Sequence, residues 1–504
     1  MITSPRIDEH LKSSSARQIL VTFVFILLAG IVRFYKLEGQ SLWNDEMFSL
    51  DVASSAFEAI QPALVAHYHH PPLFFYIAHF ALEIFGYSAW ALRSCSALFG
   101  SLTVGLVFFV SARMFNQRSG IAAGVLCLVA PFHIAYSQEG RPYALAGFLC
   151  LLSTYLLYSF IQEKSIPKGI GYLLSTVALL YSHHWGLFVA AAHILATSVV
   201  LRPRRQTVVR LTVLWAAILI LYLPEAVALR QQGTSHDSSG WFWVQSPNLH
   251  TIVDLSLAFG GTFFKMASST FDSPAPIKVL SLVCWWTVVL AGAYGAFRFK
   301  KLTMQFPIAC TILVLSIPFT LAFIKPEVFL WYRYTVIAFP LLCVCVGGVV
   351  SYGSSEWITS GRIILRFVVL ILIVVGIVGT SRYFSWQKSN VREVAAYVQE
   401  VSQDTKRMII RPRSFAPLLN YYYRGDAIQY DETYLDRPLG EIVDTARSFI
   451  YVTLDIPNSI REYMDNHFDK LAGRRFPGNA HMGIVVNVYS QKPDSTSGKI
   501  RSPP

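Results

Sequence analysis

The segment SLWNDEMFSL at 41–50 sets two carboxylates side by side, Asp45 and Glu46, just past an apolar run that ends near Leu37. A carboxylate can take a proton from an attacking hydroxyl. Asn44-Asp45-Glu46 would equally make an ordinary N-cap and first helical turn. Downstream, AHYHHPPLFFY carries His67, His69 and His70. His67 and His69 are two apart, a spacing that suits one face of a strand and not of a helix, and imidazoles are metal ligands as well as ordinary loop residues. YSQEGRPYAL at 136–145 supplies Gln138, Glu139, Arg141 and Tyr143; YSHHWG supplies His183 and His184; IKPEVFLWYRY supplies Lys325, Glu327, Tyr332 and Arg333. Cations such as Arg141, Lys325 and Arg333 can hold a phosphate and stabilise the charge that grows on it as it leaves. Arg141 could also be a snorkelling side chain, and Lys325 and Arg333 interfacial anchors. Trp241 and Trp243 in GWFWVQSP suit an aromatic belt or contact with a lipid tail.

The elements that must position these groups are membrane helices. Of 504 residues 54% are hydrophobic and only 14% charged, against roughly 25% charged in a soluble chain. Apolar runs long enough to span a bilayer recur along the first three quarters. Spans are expected at about 17–36, 89–112, 119–136, 142–161, 169–183, 185–201, 208–226, 277–297, 303–324, 331–351 and 362–381. The run 71–85 is too short to cross and reads as interfacial or re-entrant. The first run ends in IVRFYKL with no small-residue cleavage site, so it reads as a retained helix.

A net charge of +12 could point to nucleic acid, but the Lys and Arg cluster in short loops such as RPRR and RFKK. That is the positive-inside pattern, so nucleic acid is set aside. The seven cysteines, Cys95, Cys127, Cys150, Cys284, Cys310, Cys343 and Cys345, all fall in expected spans and have neither metal nor disulfide spacing. From about Arg382 the chain turns polar. Strand-length runs at 408–410, 448–454 and 483–489 alternate with helix-like stretches near 389–403, 437–446 and 457–468. The fold class expected is thus an α-helical polytopic membrane protein, with about eleven helices over 1–381. A small extracytoplasmic α/β domain would follow at 382–490, then a disordered tail at 491–504.

With the N-terminus inside, the basic loops fall inside, and Asp45, Glu46, His70, Glu139, Arg141, His183, His184, Lys325 and Arg333 gather on the external face. A base, imidazoles and cations beside lipid fit group transfer from a lipid phosphate to an acceptor outside. WNDE at 43–46, HPPL at 70–73, ALRSCSALFG at 91–100, YSQEGRPYAL and WYRYTVIAFPLL at 331–342 resemble, in this order, the GT-C superfamily. The nearest resemblance is to family-39-like membrane glycosyltransferases, related to protein O-mannosyltransferases and to the aminoarabinose transferases of lipid A. It covers about residues 17 to 380.

The resemblance implies a hexosyl- or pentosyltransferase with a polyprenyl-phosphate sugar as donor, acting on the extracytoplasmic face with inversion. It implies Asp45 as the base. Glu46 would orient the acceptor or a neighbouring cation, and His70 would shape the site. Arg141, Lys325 and Arg333 would meet the phosphate, with His183 or His184 assisting. Glu139, Tyr143 and Tyr332 complete the expected substrate-binding set. No cofactor is required. A divalent cation stays open, with Asp45, Glu46 and one of His67, His69 or His70 as its ligands. The acceptor is a lipid, glycan or protein, and membrane lipids surround the chain. No loop is long enough for the lumenal β-trefoil domain of protein O-mannosyltransferases, which weighs against a protein acceptor; no Asn-x-Ser/Thr sequon occurs, which favours a bacterial source and hence an inner membrane. The competing readings are a transporter or flippase for lipid-linked sugar, a non-catalytic assembly subunit, and an oligosaccharyl or phospho-group transferase.

Overall fold

The computed structural model describes residues 5–67, 70–201, 203–235, 246–266, 269–299, 301–325, 331–352, 359–388, 390–402, 407–411, 415–424, 429–430, 448–453, 466, 468–476 and 484–492. Among these described residues seven helices are long and apolar enough to cross a membrane: Ala16–Phe34, Ala89–Met114, Tyr143–Glu163, Arg205–Gln231, Ala275–Arg298, Leu302–Leu321 and Ile363–Tyr383. The expected span 119–136 is a helix pair, Gln117–Leu128 and Pro131–Ser137, bent by 63°. Three further expected spans are shorter helices, Ile166–Leu180, Gly186–Leu201 and Phe339–Ser351. Leu73–Phe85 is a 13-residue helix, too short to cross alone, as its sequence led one to expect. The chain is an integral, multi-pass membrane protein.

The bend has an identifiable cause. Pro131 occupies the first turn of the second helix and brings no N–H. The carbonyls freed at the break need donors, because lipid offers none. Arg33, fully buried, donates through Nη2 to Cys127 O at 3.1 Å and through Nη1 to Leu128 O at 3.4 Å. Thr380 Oγ1 donates to Val129 O at 2.8 Å. Side chains on two other helices thus hold the broken span in shape. Close approach does similar work nearby: a Cβ on Gly120 would sit 2.8 Å from Ala112 Cβ and from Phe108 O. Only glycine lets these helices touch.

The chain forms two compact units. The first comprises 1–37, 49–264 and 271–386, and holds the membrane helices. Phe263–Met266 (β1) and Ser269–Asp272 (β2) pair as a two-stranded sheet. The second unit comprises 38–48, 265–270 and 387–504. Its five-stranded sheet is built from Arg407–Arg411 (β3), Gln429–Tyr430 (β4), Ser448–Thr453 (β5), Phe468–Phe476 (β6) and Ile484–Gln491 (β7), in the order β4-β3-β5-β7-β6. β3 runs parallel to β4 and β5, whereas β7 is antiparallel to β5 and β6. Phe449, Ile450, Tyr451 and Val452 of β5 are all fully buried, the continuous apolar run of a strand covered on both faces. The helix Val391–Val401 buries Val391, Val394, Ala395 and Val398, one face at helical spacing.

The strand-length runs at 408–410, 448–454 and 483–489 correspond to β3, β5 and β7. β6 was not expected. Its sequence FDKLAGRRF is mostly exposed between two buried phenylalanines, and it carries an irregularity between Lys470 and Ala472. The expected helix at 437–446, most of that at 457–468, and the tail from 493 lie outside the described residues.

The segment 38–48 is tied into the second unit by polar contacts. Leu42 N–H donates to Tyr422 Oη at 2.7 Å, Lys388 N–H to Gln40 Oε1 at 2.7 Å, and the Arg392 guanidinium to Glu38 O at 3.0 Å.

Candidate active site

In the first unit the turn Gln138–Pro142 is buried, so each of its polar groups needs a partner. Gln138 Nε2 donates to Arg33 O at 2.9 Å and Tyr35 O at 2.8 Å, and Arg141 N–H to Glu139 O at 2.7 Å. Ser96 Oγ donates to Arg141 O at 3.0 Å. These bonds fix the turn so that Arg141, only 1% exposed, donates through Nη1 to Ser49 Oγ at 2.9 Å. Glu139 and Tyr143 are equally buried.

A second turn meets this one. Ile166–Leu180 ends, and Ser182 to Trp185 carry the chain into the helix from Gly186. Leu73 N–H donates to Tyr181 O at 2.9 Å, which ties the HPPL segment to this turn. The His183 ring then lies 5.3 Å from the His70 ring, 5.7 Å from that of Tyr143 and 4.9 Å from that of Tyr334. Trp185 N–H donates to His183 Nδ1 at 3.1 Å. Nδ1 therefore accepts, and in the neutral ring the proton sits on Nε2. Burial holds His183 well below the usual histidine range, with His184 and then Arg141 adding to the depression. Nε2 has no hydrogen-bond partner among the described residues. The arrangement presents a neutral N–H donor close to a buried guanidinium.

This neutral histidine sets a pH dependence. The unfolded chain takes up a proton near its ordinary pKa of about 6.5, and the folded chain does not. Stability should therefore be complete above about pH 6.5 and fall below it, by up to roughly 1.4 kcal/mol per pH unit for one proton. Thermal unfolding from pH 7.5 to 5 measures this, and His183→Gln should flatten the acid limb.

The second unit holds the acidic pair. Asn44–Ser54 is a helix with Asp45 and Glu46 in its first turn, where its dipole favours carboxylates. Asp45 is half-buried. Glu46 is fully buried and paired with Lys388 Nζ at 2.7 Å, and that ammonium also lies 5.7 Å from the centre of the Trp43 ring. Sequence reading missed Lys388, which stands 342 residues from Glu46 in a polar stretch. It also passed over Tyr334, Trp185 and Ser49, although all three sit inside motifs that drew attention.

Of the other expected site residues, His184 and Arg333 are half-buried and Lys325 is exposed past the end of Leu302–Leu321. His69, Glu327, Trp241 and Trp243 lie outside the described residues, as do the side chains of His67 and Tyr332. Among the described residues no three of His, Cys, Asp and Glu cluster so as to hold a metal ion.

Residues 69–227 match the model of the dolichyl-phosphate-mannose-protein mannosyltransferase family. No curated protein sequence matches the chain. Among solved structures, apo ArnT from Cupriavidus metallidurans is similar at 12% identity and a TM-score of 0.58, over 94% of this chain and 98% of that one. The same protein bound to undecaprenyl phosphate gives 11% identity and 0.58, over 95% and 99%. The Archaeoglobus fulgidus oligosaccharyltransferase in apo form gives 13% and 0.51, over 82% of this chain and 64% of that one. The chain has the GT-C fold that these solved structures share.

Proposed function

We propose that this protein is a membrane glycosyltransferase that moves a sugar from a polyprenyl-phosphate carrier to an acceptor hydroxyl on the extracytoplasmic face of a bacterial inner membrane. The observation that carries this reading is the buried meeting of Arg141, Tyr143 and His183 with His70 in the membrane unit. A permanent cation next to a neutral N–H donor suits a phosphate that gains charge as it departs. The undecaprenyl phosphate bound to a protein of the same fold supports a polyprenyl donor.

The step is a single displacement. The acceptor oxygen attacks the anomeric carbon from the face opposite the phosphate and gives its proton to Asp45. The bond from that carbon to the phosphate oxygen breaks, and polyprenyl phosphate leaves with the electron pair. The anomeric centre inverts. Arg141, Lys325 and Arg333 meet the leaving phosphate, and His183 donates from Nε2. Phosphate is a good enough leaving group to need no strong acid, so one carboxylate suffices. Glu46, locked to Lys388, positions the segment that carries Asp45.

The test uses membranes supplied with a labelled polyprenyl-phosphate sugar. The native chain should transfer label, and Arg141→Ala should lower kcat/KM for the donor by about 10- to 100-fold, the worth of a charged hydrogen bond. Arg141→Lys should recover part of the loss. Full activity in Arg141→Ala would remove this site from the reaction.

A further inference from the structure

The helix Arg205–Gln231 carries one carboxylate near its end, Glu225, directly after Pro224. An ionisable group inside a span is costly and marks function by default. Glu225 is 2% exposed, and Gln61 gives its carboxylate one side-chain hydrogen bond. Its Oε1 has no partner among the described residues. A buried carboxylate oxygen left so costs free energy unless something donates to it.

What it faces is a cavity of about 780 Å³, in whose lining Gln61, Tyr76, Tyr181 and Gln231 are the other polar groups. The remaining lining is apolar, and Leu174, Leu221 and Val227 within it are 59%, 46% and 52% exposed. On a membrane helix such exposed apolar side chains face lipid, so the mouth opens to the bilayer. The cavity also adjoins the candidate active site. Tyr181 and Leu73 both line it and bond to each other, two residues from His183 and three from His70.

Charge decides which amphiphile fits. None of the described residues lining the cavity is Lys, Arg or His. This lining therefore offers a lipid phosphate no counter-charge, whereas the open carboxyl oxygen of Glu225 accepts from a hydroxyl. We propose that this cavity binds the hydroxyl-bearing head of a membrane-embedded amphiphile, with Glu225 accepting its hydrogen bonds. Resting on the transferase reading, this occupant is the acceptor, and it reaches the site from within the bilayer.

The experiment places the full chain, extracted without a glycoside detergent, in phosphatidylcholine nanodiscs and titrates labelled dodecyl maltoside, with empty nanodiscs as background. Saturable binding is expected to the native chain. It should weaken about tenfold or more in Glu225→Leu, the worth of a hydrogen bond to a charged group. Val227→Trp, which blocks the mouth from an exposed position, should weaken it equally and guards against misfolding of the first variant. Dodecyl phosphate should not bind saturably. No saturable glycoside binding, or equal binding by all three chains, overturns the proposal. In a parallel arm with a labelled polyprenyl-phosphate hexose, Glu225→Leu should raise KM for the glycoside and leave that for the donor unchanged. Glycoside binding that needs Glu225, with no transfer by the native chain to any acceptor, would sink the transferase reading and keep the subsite.

Discussion

Asp45→Asn is expected to lower sugar transfer by about 100- to 10,000-fold, the contribution of a well-placed general base. The substitution is nearly isosteric and removes only the ability to take a proton. Asp45 is half-buried in the first turn of its helix, a position that asparagine also tolerates, so the fold should survive. Donor binding rests on the cations and should not change. The comparison is of initial rates at saturating donor, with donor affinity measured separately. Equal rates would mean that the base lies elsewhere. A loss confined to donor affinity would make Asp45 a binding group.

The second large effect falls on stability. Glu46 and Lys388 are both buried to within 1% and meet at 2.7 Å. Lys388→Met leaves the carboxylate without its counter-charge, which costs about 3–5 kcal/mol. Replacing both partners by neutral groups costs far less, since such pairs often just offset their desolvation. Thermal unfolding should therefore show Lys388→Met strongly destabilised and the double variant Glu46→Gln with Lys388→Met largely restored. A double variant as unstable as the single would show that Lys388 acts through packing against Trp43 rather than through the ion pair. A restored fold with poor transfer would locate the pair's role in holding 38–48 for the reaction.

Hydropathy and charge carried the membrane architecture because lipid imposes length and composition on each span. They did not show where a span breaks. The bend at Pro131 depends on Arg33 and Thr380, distant in sequence, supplying donors to its carbonyls. Three shorter helices read as full spans because apolar residues continue past their ends. The central strand β5 was legible as a buried apolar run. The edge strand β6, charged and exposed, carries no alternation that separates it from a helix or loop.

The site divides in the same way. QEGRPYAL and YSHHWG stood out because polar groups interrupt apolar runs, and the structure brings Arg141, Tyr143 and His183 close together. The tautomer of His183 depends on a backbone bond from Trp185, which no residue type announces. Lys388 was invisible because ion pairing across 342 residues leaves no local pattern. Glu225 was overlooked because YLPEAVAL reads as the frayed end of a span rather than as the wall of a cavity.

The most direct test follows two labels at once. Proteoliposomes containing the native chain receive a polyprenyl-phosphate sugar labelled on both the sugar and the phosphorus. Glycosyl transfer predicts that the sugar label moves to an acceptor while the phosphorus stays with the polyprenol, one lipid phosphate freed for each sugar moved. Both labels moving together onto an acceptor would reveal phospho-group transfer. Both crossing the bilayer on an intact lipid would reveal a flippase. Either result contradicts the account.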